Sequence, residues 1–431
     1  MLQKVREKSF WMYDKLTGAK VATHLKDISA IFGSEEGRSN DRVERYLSEL
    51  LSHAIKTADF YSNLSQGTTI TGFPIVNKSV IKQNYEQFIS NSYKKENLKP
   101  VVTSGSTGTP FKVLQDPNKV LRNTADTIFF ANLAGYKLGQ RLYYLKIWNE
   151  INKKGRASSF IQNVIPVDVM DQSDEFFSDF VRDLKADTTT KSLLGYASAF
   201  EALCKYLDHT GIEKVSSNVK SVITMSEALN SYTRKSLKKY FDCEPVSRYS
   251  NVENGILAQQ KKGGSSFYLN TASYFFEILE MNSDDPASIG KPGRIVVTDL
   301  FNYGMPMIRY DTGDVAVLDS NESGDLALST VEGRRMDTIY NTKGELISSY
   351  VITNNMWKYT DIKQYQFVQE SPKSYYFKIN TDNKFERKKE LINEFLRYFG
   401  KDAEIRVEYV SEIPLLASGK RKKVVNMMHQ T

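Results

Sequence analysis

Alternating strand-like and helix-like segments between residues 99 and 335 constrain the fold of this chain more than any other feature. Short apolar runs have the length of buried strands, and the segments between them carry apolar residues at helical spacing. The strand-like runs are 141–148, 219–224 and 245–248, and the helical segments are 176–186, 198–209 and 231–241. Strands that alternate with helices pack in layers around a shared core, so the sequence predicts an α/β fold.

The sequence on either side of this region changes in character. Residues 1–98 are mainly helical in pattern, whereas strands separated by turn residues predominate over 272–318. Beyond Asp337 the pattern is that of a smaller α+β unit. We expect layered sheets and helices in a large N-terminal domain, residues 1–335, and a small C-terminal domain, residues 336–431.

Composition excludes several classes of protein. The chain is 40% hydrophobic and 25% charged, and no apolar run approaches the ~18 residues of a membrane span. Met1–Asp14 lacks the apolar core of a signal peptide, so we expect a cytoplasmic protein without a membrane span. Cys204 and Cys243 are the two cysteines, which argues against a disulfide framework or a structural zinc site.

The net charge of +7 is modest for 431 residues. It favours an anionic small-molecule substrate such as a nucleotide. The basic run Lys420–Lys423 lacks interleaved aromatic residues, and we do not expect nucleic acid as a partner. Self-association into a homodimer is left open.

A loop rich in glycine and hydroxyl residues is the strongest local motif. It has the sequence Thr103-Ser104-Gly105-Ser106-Thr107-Gly108-Thr109-Pro110 and follows a short strand-like segment. Glycines allow close backbone approach, and hydroxyl and backbone N–H groups can then surround a phosphate. Phe111 precedes Lys112 where a P-loop requires glycine, so that motif is excluded. A solvated turn is the alternative interpretation.

Further motifs follow the loop in a fixed order, several of them at the ends of predicted strands, where α/β sheets bind ligands. They are Ser226-Glu227-Ala228, Tyr249-Ser250-Asn251-Val252-Glu253, Tyr310-Asp311-Thr312-Gly313-Asp314, Gly333-Arg334 and Ser418-Gly419-Lys420.

Each motif holds a residue type suited to ATP. The ring of Tyr249 can stack on adenine, and Asp314 can accept hydrogen bonds from ribose. The carboxylate of Glu253 can bind Mg²⁺ through oxygen. Arg334 and Lys420 can meet phosphate charge.

In this order the motifs resemble those of the adenylate-forming (acyl-activating) superfamily over nearly the whole chain. The segments Ala58–Ser62 and Phe73–Lys78 resemble its compact branch, which contains phenylacetate–CoA ligases and capsular-polysaccharide adenylating proteins. The resemblance implies an ATP- and Mg²⁺-dependent ligase that forms an acyl-adenylate and releases pyrophosphate. The C-terminal domain then rotates, and an acceptor takes the acyl group.

The resemblance also assigns roles to residues. Lys420 and Glu253 would be catalytic, with Glu253 also the metal ligand. The nucleotide-binding residues would be Ser104, Gly105, Ser106, Thr107, Gly108, Ser226, Glu227, Ala228, Tyr249, Ser250, Asn251, Asp314 and Arg334. The pocket for the small carboxylic acid would include Tyr143, Tyr196 and Ala197.

The acceptor is left open by the sequence. Coenzyme A is the first expectation, and a sugar, an amine or a carrier in surface-polysaccharide or natural-product assembly is the second. A nucleotide-binding protein without catalysis is a third. Val252 and Met336, which depart from the family pattern, keep this third interpretation open.

Overall fold

The computed structural model describes most of the chain and has the predicted α/β fold. The described residues are 2–33, 36–103, 111–148, 155–170, 172–320, 326–332, 339–347, 350–356, 358–359, 361–414 and 422–428. No helix among them is long and apolar enough to span a lipid bilayer.

Helices form the N-terminal region and alternate with strands further on. The α-helices are α1 (Leu2–Leu16), α2 (Lys20–Gly33), α3 (Glu36–Thr57), α4 (Lys78–Gln83), α5 (Pro117–Leu133), α6 (Arg156–Gln162), α7 (Asp174–Ala186), α8 (Ala197–His209), α9 (Ser231–Phe241), α10 (Tyr350–Met356) and α11 (Lys388–Phe399). Short 3₁₀ helices cover Asp59–Tyr61, Ile70–Gly72, Tyr85–Phe88 and Lys95–Asn97.

The strands build one large sheet and three small ones among the described residues. They are β1 (Lys99–Thr103), β2 (Phe111–Gln115), β3 (Arg141–Lys146), β4 (Val164–Asp168), β5 (Lys191–Tyr196), β6 (Val219–Met225), β7 (Val246–Asn251), β8 (Gly255–Gln260), β9 (Phe267–Leu269), β10 (Tyr274–Leu279), β11 (Pro292–Asp299), β12 (Tyr310–Ser320), β13 (Leu326–Glu332), β14 (Ile339–Tyr340), β15 (Leu346–Ile347), β16 (Gln364–Gln369), β17 (Ser374–Asn380), β18 (Glu404–Tyr409) and β19 (Val424–Asn426).

The large sheet joins a parallel half to an antiparallel half. Its strand order is β10-β11-β12-β13-β9-β8-β7-β6-β5-β3-β4. Strands β4, β3, β5, β6 and β7 run parallel, and every pairing from β7 to β10 is antiparallel. Helices cross over between the parallel strands, as such connections require. Strand β7 therefore stands at the junction of the two halves.

Local sequence signals fix the helix that precedes the parallel half. Asp116 caps α5, its side chain accepting hydrogen bonds from the N–H groups of Asn118 and Lys119, and Pro117 occupies the first turn. The other carboxylate oxygen of Asp116 accepts the N–H of Tyr303 at 2.7 Å and of Gly304 at 3.0 Å. One side chain thus starts the helix and attaches it to the loop before β12.

Separate apolar cores lie on the two faces of the parallel strands. On one face α7, α8 and α9 bury residues such as Phe180, Leu203 and Leu237. On the other face Leu194, Ile223 and Val246 pack around Ala134 at the end of α5. Burial on both faces explains why these strands are continuous apolar runs in the sequence.

The C-terminal residues form their own sheet and core. Strands β18, β17, β16 and β19 pair in that order, and α11 covers them through Leu391, Phe395 and Phe399. The expected small α+β unit is therefore present. The proposed boundary between residues 335 and 336 lies outside the described residues and stays a prediction.

The short strand predicted before the glycine-rich loop is present, and the loop from residue 104 to residue 110 lies outside the described residues. Strands β1 and β2, which flank it, pair only with each other among the described residues, with Thr103 opposite Phe111. Among the described residues, the strand before the loop therefore belongs to a two-stranded antiparallel sheet and not to the large sheet.

Candidate functional site

The carboxyl ends of β6 and β7 bring several predicted residues to one edge of the sheet. Ser226 directly follows β6 and adopts a positive φ of 69°, a conformation that is rare for a residue with a Cβ atom. This turn directs the chain so that the carboxylate of Glu227 accepts the backbone N–H of Ser198 at 2.8 Å. Ala228 is exposed beside them. The Ser-Glu-Ala motif thus connects β6 to the first turn of α8.

Tyr249 and Asp314 are in direct contact. The Tyr249 hydroxyl donates to the Asp314 Oδ2 at 2.7 Å and lies 3.4 Å from the Thr312 hydroxyl. Burial first, and then the Asp314 charge, raise the pKa of Tyr249 well above its ordinary value of 10.0, so the hydroxyl stays protonated. The tertiary structure therefore places the predicted adenine and ribose residues side by side.

Glu253 is buried and already has a cationic partner. Its Oε1 lies 2.9 Å from the Lys78 Nζ and accepts the Tyr310 hydroxyl at 2.8 Å. The Glu253 side chain is 3% exposed, whereas that of Lys78 is 38% exposed. A buried carboxylate is costly without a compensating charge, and the flexible ammonium group supplies that charge. The sequence motifs did not predict a site role for Lys78.

The donor set around Glu253 suits a metal that is held mainly by its substrate. The described residues contain no group of three His, Cys, Asp or Glu side chains that could bind a metal by itself. Mg²⁺ commonly binds proteins through one or two carboxylates together with substrate phosphates. A single buried carboxylate therefore fits Mg²⁺ that is bound together with a nucleotide. When no metal is bound, the Lys78 ammonium group compensates the charge of Glu253.

Ser250 and Asn251 end β7 and are half-buried. The Asn251 Oδ1 accepts the N–H of Asn254 at 2.8 Å, while its buried amide nitrogen has no hydrogen-bond partner in the described part of the chain. An unsatisfied buried donor is uncommon in native structures and is typical of a site that receives a ligand or water.

The remaining nucleotide residues predicted from the sequence lie outside the described residues. They are Ser104, Gly105, Ser106, Thr107, Gly108, Arg334 and the catalytic Lys420. Their assignments stay predictions.

The structure separates the predicted pocket tyrosines. Tyr196 ends β5, and Ala197 starts α8 in a buried position, so both lie at the carboxyl edge. Tyr143 instead packs against Phe180 of α7, and its hydroxyl donates to Asp187 at 3.0 Å, just before the amino end of β5. Because neighbouring residues of a strand face opposite sides, Tyr144 turns toward the other face, where its hydroxyl contacts the Met225 sulfur at 3.7 Å. Tyr143 is thus a core residue and is not brought together with Tyr196.

Sequence reasoning missed Arg248, which directly precedes Tyr249. Its guanidinium group is buried on the face that holds Tyr144, and it is the register partner of Met225 on β6. An arginine two residues after the buried Val246 in a predicted strand was the available signal, because charged residues are rarely fully buried unless they are paired.

Comparison with solved structures defines the class of fold. The chain superposes on a 2-hydroxyisobutyryl-CoA ligase in the postadenylation state with bound acyl-AMP, with a TM-score of 0.72, 12% identity and coverage of 91% of this chain and 90% of that one. The same ligase in its thioesterification state gives a TM-score of 0.59 at 13% identity, covering 91% and 90%. An anthranilate-CoA ligase in complex with anthranoyl-AMP gives 0.56 at 13% identity, covering 80% and 68%. The fold is that of the adenylate-forming ligases.

Sequence comparisons add two further similarities. Residues 339–427 match the family model described as the CapK C-terminal domain. Protein CapK from Staphylococcus aureus is 22% identical over 411 residues, which cover 90% of this chain and 88% of that protein. The predicted resemblance to the adenylate-forming superfamily, on the side of the capsule-biosynthesis proteins, is thereby confirmed.

Proposed function

We propose that this protein activates a small carboxylic acid with ATP and then transfers the acyl group to an acceptor. The observation that carries the proposal is the grouping of Glu227, Tyr249, Glu253 and Asp314 around the ends of β6 and β7. These groups supply an aromatic ring, a ribose acceptor and a buried carboxylate in the fold of the adenylate-forming ligases.

The chemistry proceeds in two steps. A carboxylate oxygen of the acid attacks the α-phosphorus of ATP, the bond to the bridging oxygen breaks, and pyrophosphate leaves. The acceptor then attacks the acyl carbonyl and AMP leaves. Mg²⁺ bound at Glu253 would neutralise phosphate charge that otherwise repels the attacking carboxylate.

Residues of the chain itself would position the reactants. Asp314 holds the Tyr249 hydroxyl in place at 2.7 Å, which orients the ring for adenine. Lys420 would supply a cation to the acid and the α-phosphate, and the hydroxyls of Ser104, Ser106 and Thr107 would hold the outer phosphates. We include in the proposal a C-terminal domain from residue 336 onward that moves after adenylate formation.

Coenzyme A is the first candidate acceptor, supported by the ligase fold. A sugar, amine or carrier thiol in surface-polysaccharide assembly is the second, and the match of residues 339–427 to the CapK C-terminal domain favours it. If coenzyme A accelerates AMP release once an acid is identified, coenzyme A is the acceptor. If only an amino or hydroxyl sugar accelerates AMP release, the second candidate acceptor is correct.

Exchange of labelled pyrophosphate into ATP, measured across a panel of acids, tests the proposed reaction. We expect at least one acid to support exchange, and Lys420→Ala to slow it by ~10²-fold or more while ATP binding persists. Lys422→Ala is the matched control. ATP binding without exchange for any acid would support the nucleotide-binding protein without catalysis.

A further inference from the structure

Arg248 differs from the other buried arginines of the described chain. Arg122 lies 2.7 Å from Asp27, Arg294 lies 2.8 Å from Asp311, and Arg309 lies 2.9 Å from Glu277. Arg248 is 8% exposed and forms no ion pair with any described carboxylate. Its Nη2 is buried and has no hydrogen-bond partner among the described residues. A buried cation without a counter-charge is costly to the fold.

The guanidinium group is nevertheless held in a fixed orientation. Its Nε donates to the Gln259 Oε1 at 2.8 Å, and the Gln259 Nε2 donates to the carbonyl oxygen of Phe130 at 2.7 Å. This relay ties Arg248 of β7 to helix α5 through one neutral amide. The relay positions the charge and does not neutralise it.

The surroundings of Arg248 belong to the edge of the sheet where the proposed acid would bind. Tyr196, Met225 and Arg248 are register partners on the neighbouring parallel strands β5, β6 and β7. The Tyr144 hydroxyl reaches the Met225 sulfur from the same face. Arg248 directly precedes Tyr249 on β7, and because side chains alternate along a strand, the Arg248 side chain points to the face opposite Tyr249.

Burial lowers the pKa of Arg248 to about 10, which still leaves it charged at neutral pH. An incoming anion would form charge-assisted hydrogen bonds with Nη2, and arginine binds carboxylates with good geometric complementarity. Tyr144, Met225 and Tyr196 would exclude water around such a pair.

We propose that Arg248 is a specificity-determining residue that binds a second carboxylate of the substrate, so that the acid activated by this protein is a dicarboxylic acid. This inference rests on the proposed function. One carboxylate of the substrate reacts with ATP, and the other is recognised by Arg248.

Pyrophosphate exchange with matched pairs of acids tests the inference. The pairs are succinate with butyrate, glutarate with pentanoate, adipate with hexanoate, and terephthalate with 4-methylbenzoate. We expect the wild type to favour the dicarboxylate of at least one pair. Arg248→Gln should lower kcat/KM for that dicarboxylate roughly 10- to 100-fold, the usual loss for one charge-assisted contact, and leave the monocarboxylate almost unchanged.

Two variants separate recognition from folding. Arg248→Lys keeps the charge and should keep the direction of the preference, although more weakly because the ammonium group lacks the planar fork. Arg234→Gln is a control for loss of a half-buried arginine, because its guanidinium donates to the Pro245 carbonyl oxygen at 2.9 Å. Arg234→Gln should leave the ratio of kcat/KM for the dicarboxylate to kcat/KM for the monocarboxylate unchanged. Circular dichroism confirms that each variant is folded.

The outcomes distinguish this inference from the proposed function. The inference is overturned, and the ligase function stands, if monocarboxylates alone support exchange. The same holds if Arg248→Gln lowers kcat/KM equally for both acids of a pair. If no acid supports exchange in the wild type, the proposed function fails and the inference fails with it.

Discussion

Lys423 and Glu201 form an ion pair, with 3.1 Å between Nζ and Oε2, that joins the C-terminal unit to helix α8. The Glu201 carboxylate also lies 3.2 Å from the Lys205 Nζ and accepts the Asn230 amide at 3.0 Å. Lys423 in turn lies over the ring of Tyr365, 5.4 Å from its centroid. This pair is one point at which the two units are attached to each other among the described residues.

We expect Lys423→Met to loosen this attachment. The variant leaves Glu201, which is 7% exposed, with fewer compensating charges, and such a buried carboxylate favours separation of the units. Small-angle X-ray scattering should show an increased radius of gyration, and Lys422→Met is the control. Identical scattering curves for wild type and variant would show that the pair does not hold the units together.

The same pair predicts a dependence of stability on pH. Burial raises the pKa of Glu201, but the charges of Lys423 and Lys205 outweigh it and lower the pKa from 4.5 to about 2. Because the folded-state pKa is lowered, the contribution is complete above about pH 4.5 and is lost as the pH falls toward 2. Denaturation curves of wild type and Glu201→Gln should therefore differ most near neutral pH and converge in acid. A constant difference across this range would contradict the assignment.

Tyr249→Phe is expected to weaken ATP binding and leave the chemical step intact. The variant keeps the aromatic ring but removes the hydroxyl that Asp314 holds at 2.7 Å, so the ring loses its orientation. We expect the KM for ATP to rise about 10-fold with kcat nearly unchanged, the pattern for a group that binds substrate and transition state equally. Thr312→Val is the control, because it removes the weaker 3.4 Å contact with Tyr249, together with the Thr312 hydrogen bonds to the Ile295 carbonyl oxygen and from the Asp314 N–H, and leaves the Asp314 carboxylate in place. A large fall in kcat would instead place Tyr249 in the chemical step.

Glu253→Gln is expected to raise the Mg²⁺ concentration required for pyrophosphate exchange by 10-fold or more. The amide keeps the hydrogen bond from Tyr310 but lacks the charge that binds a hard cation. The exposed Glu280→Gln is the control. A magnesium titration with the same midpoint as the wild type would remove Glu253 as the metal ligand.

Tyr143→Phe and Tyr144→Phe test which face of β3 meets the substrate. Tyr143→Phe removes a hydrogen bond to Asp187 and should lower the free energy of unfolding by about 1 kcal/mol without changing acid selectivity. Tyr144→Phe should change kcat/KM for the acid, because its hydroxyl lies beside Met225 at the carboxyl edge. Denaturant titration and exchange kinetics measure the two effects. Altered selectivity in Tyr143→Phe alone would reverse the assignment.

Strand and helix patterns in the sequence predicted much of the fold. The predicted strand at 219–224 is β6, and the predicted helix at 231–241 is α9 with the same bounds. The sequence did not predict that the β-rich segment after residue 272 would continue the same sheet. Strand pairing between distant segments depends on contacts that local periodicity does not contain.

The sequence by itself determined the α/β fold class, the order of the motifs and the resemblance to adenylate-forming enzymes, because these depend on residue type and spacing along the chain. Tertiary structure alone decided which side chains meet. It paired Glu253 with Lys78, placed Tyr143 in the core, and left the buried Arg248 without a described counter-charge. Alternation along a strand and the register between strands set these contacts, since a shift of one residue reverses the face of every side chain.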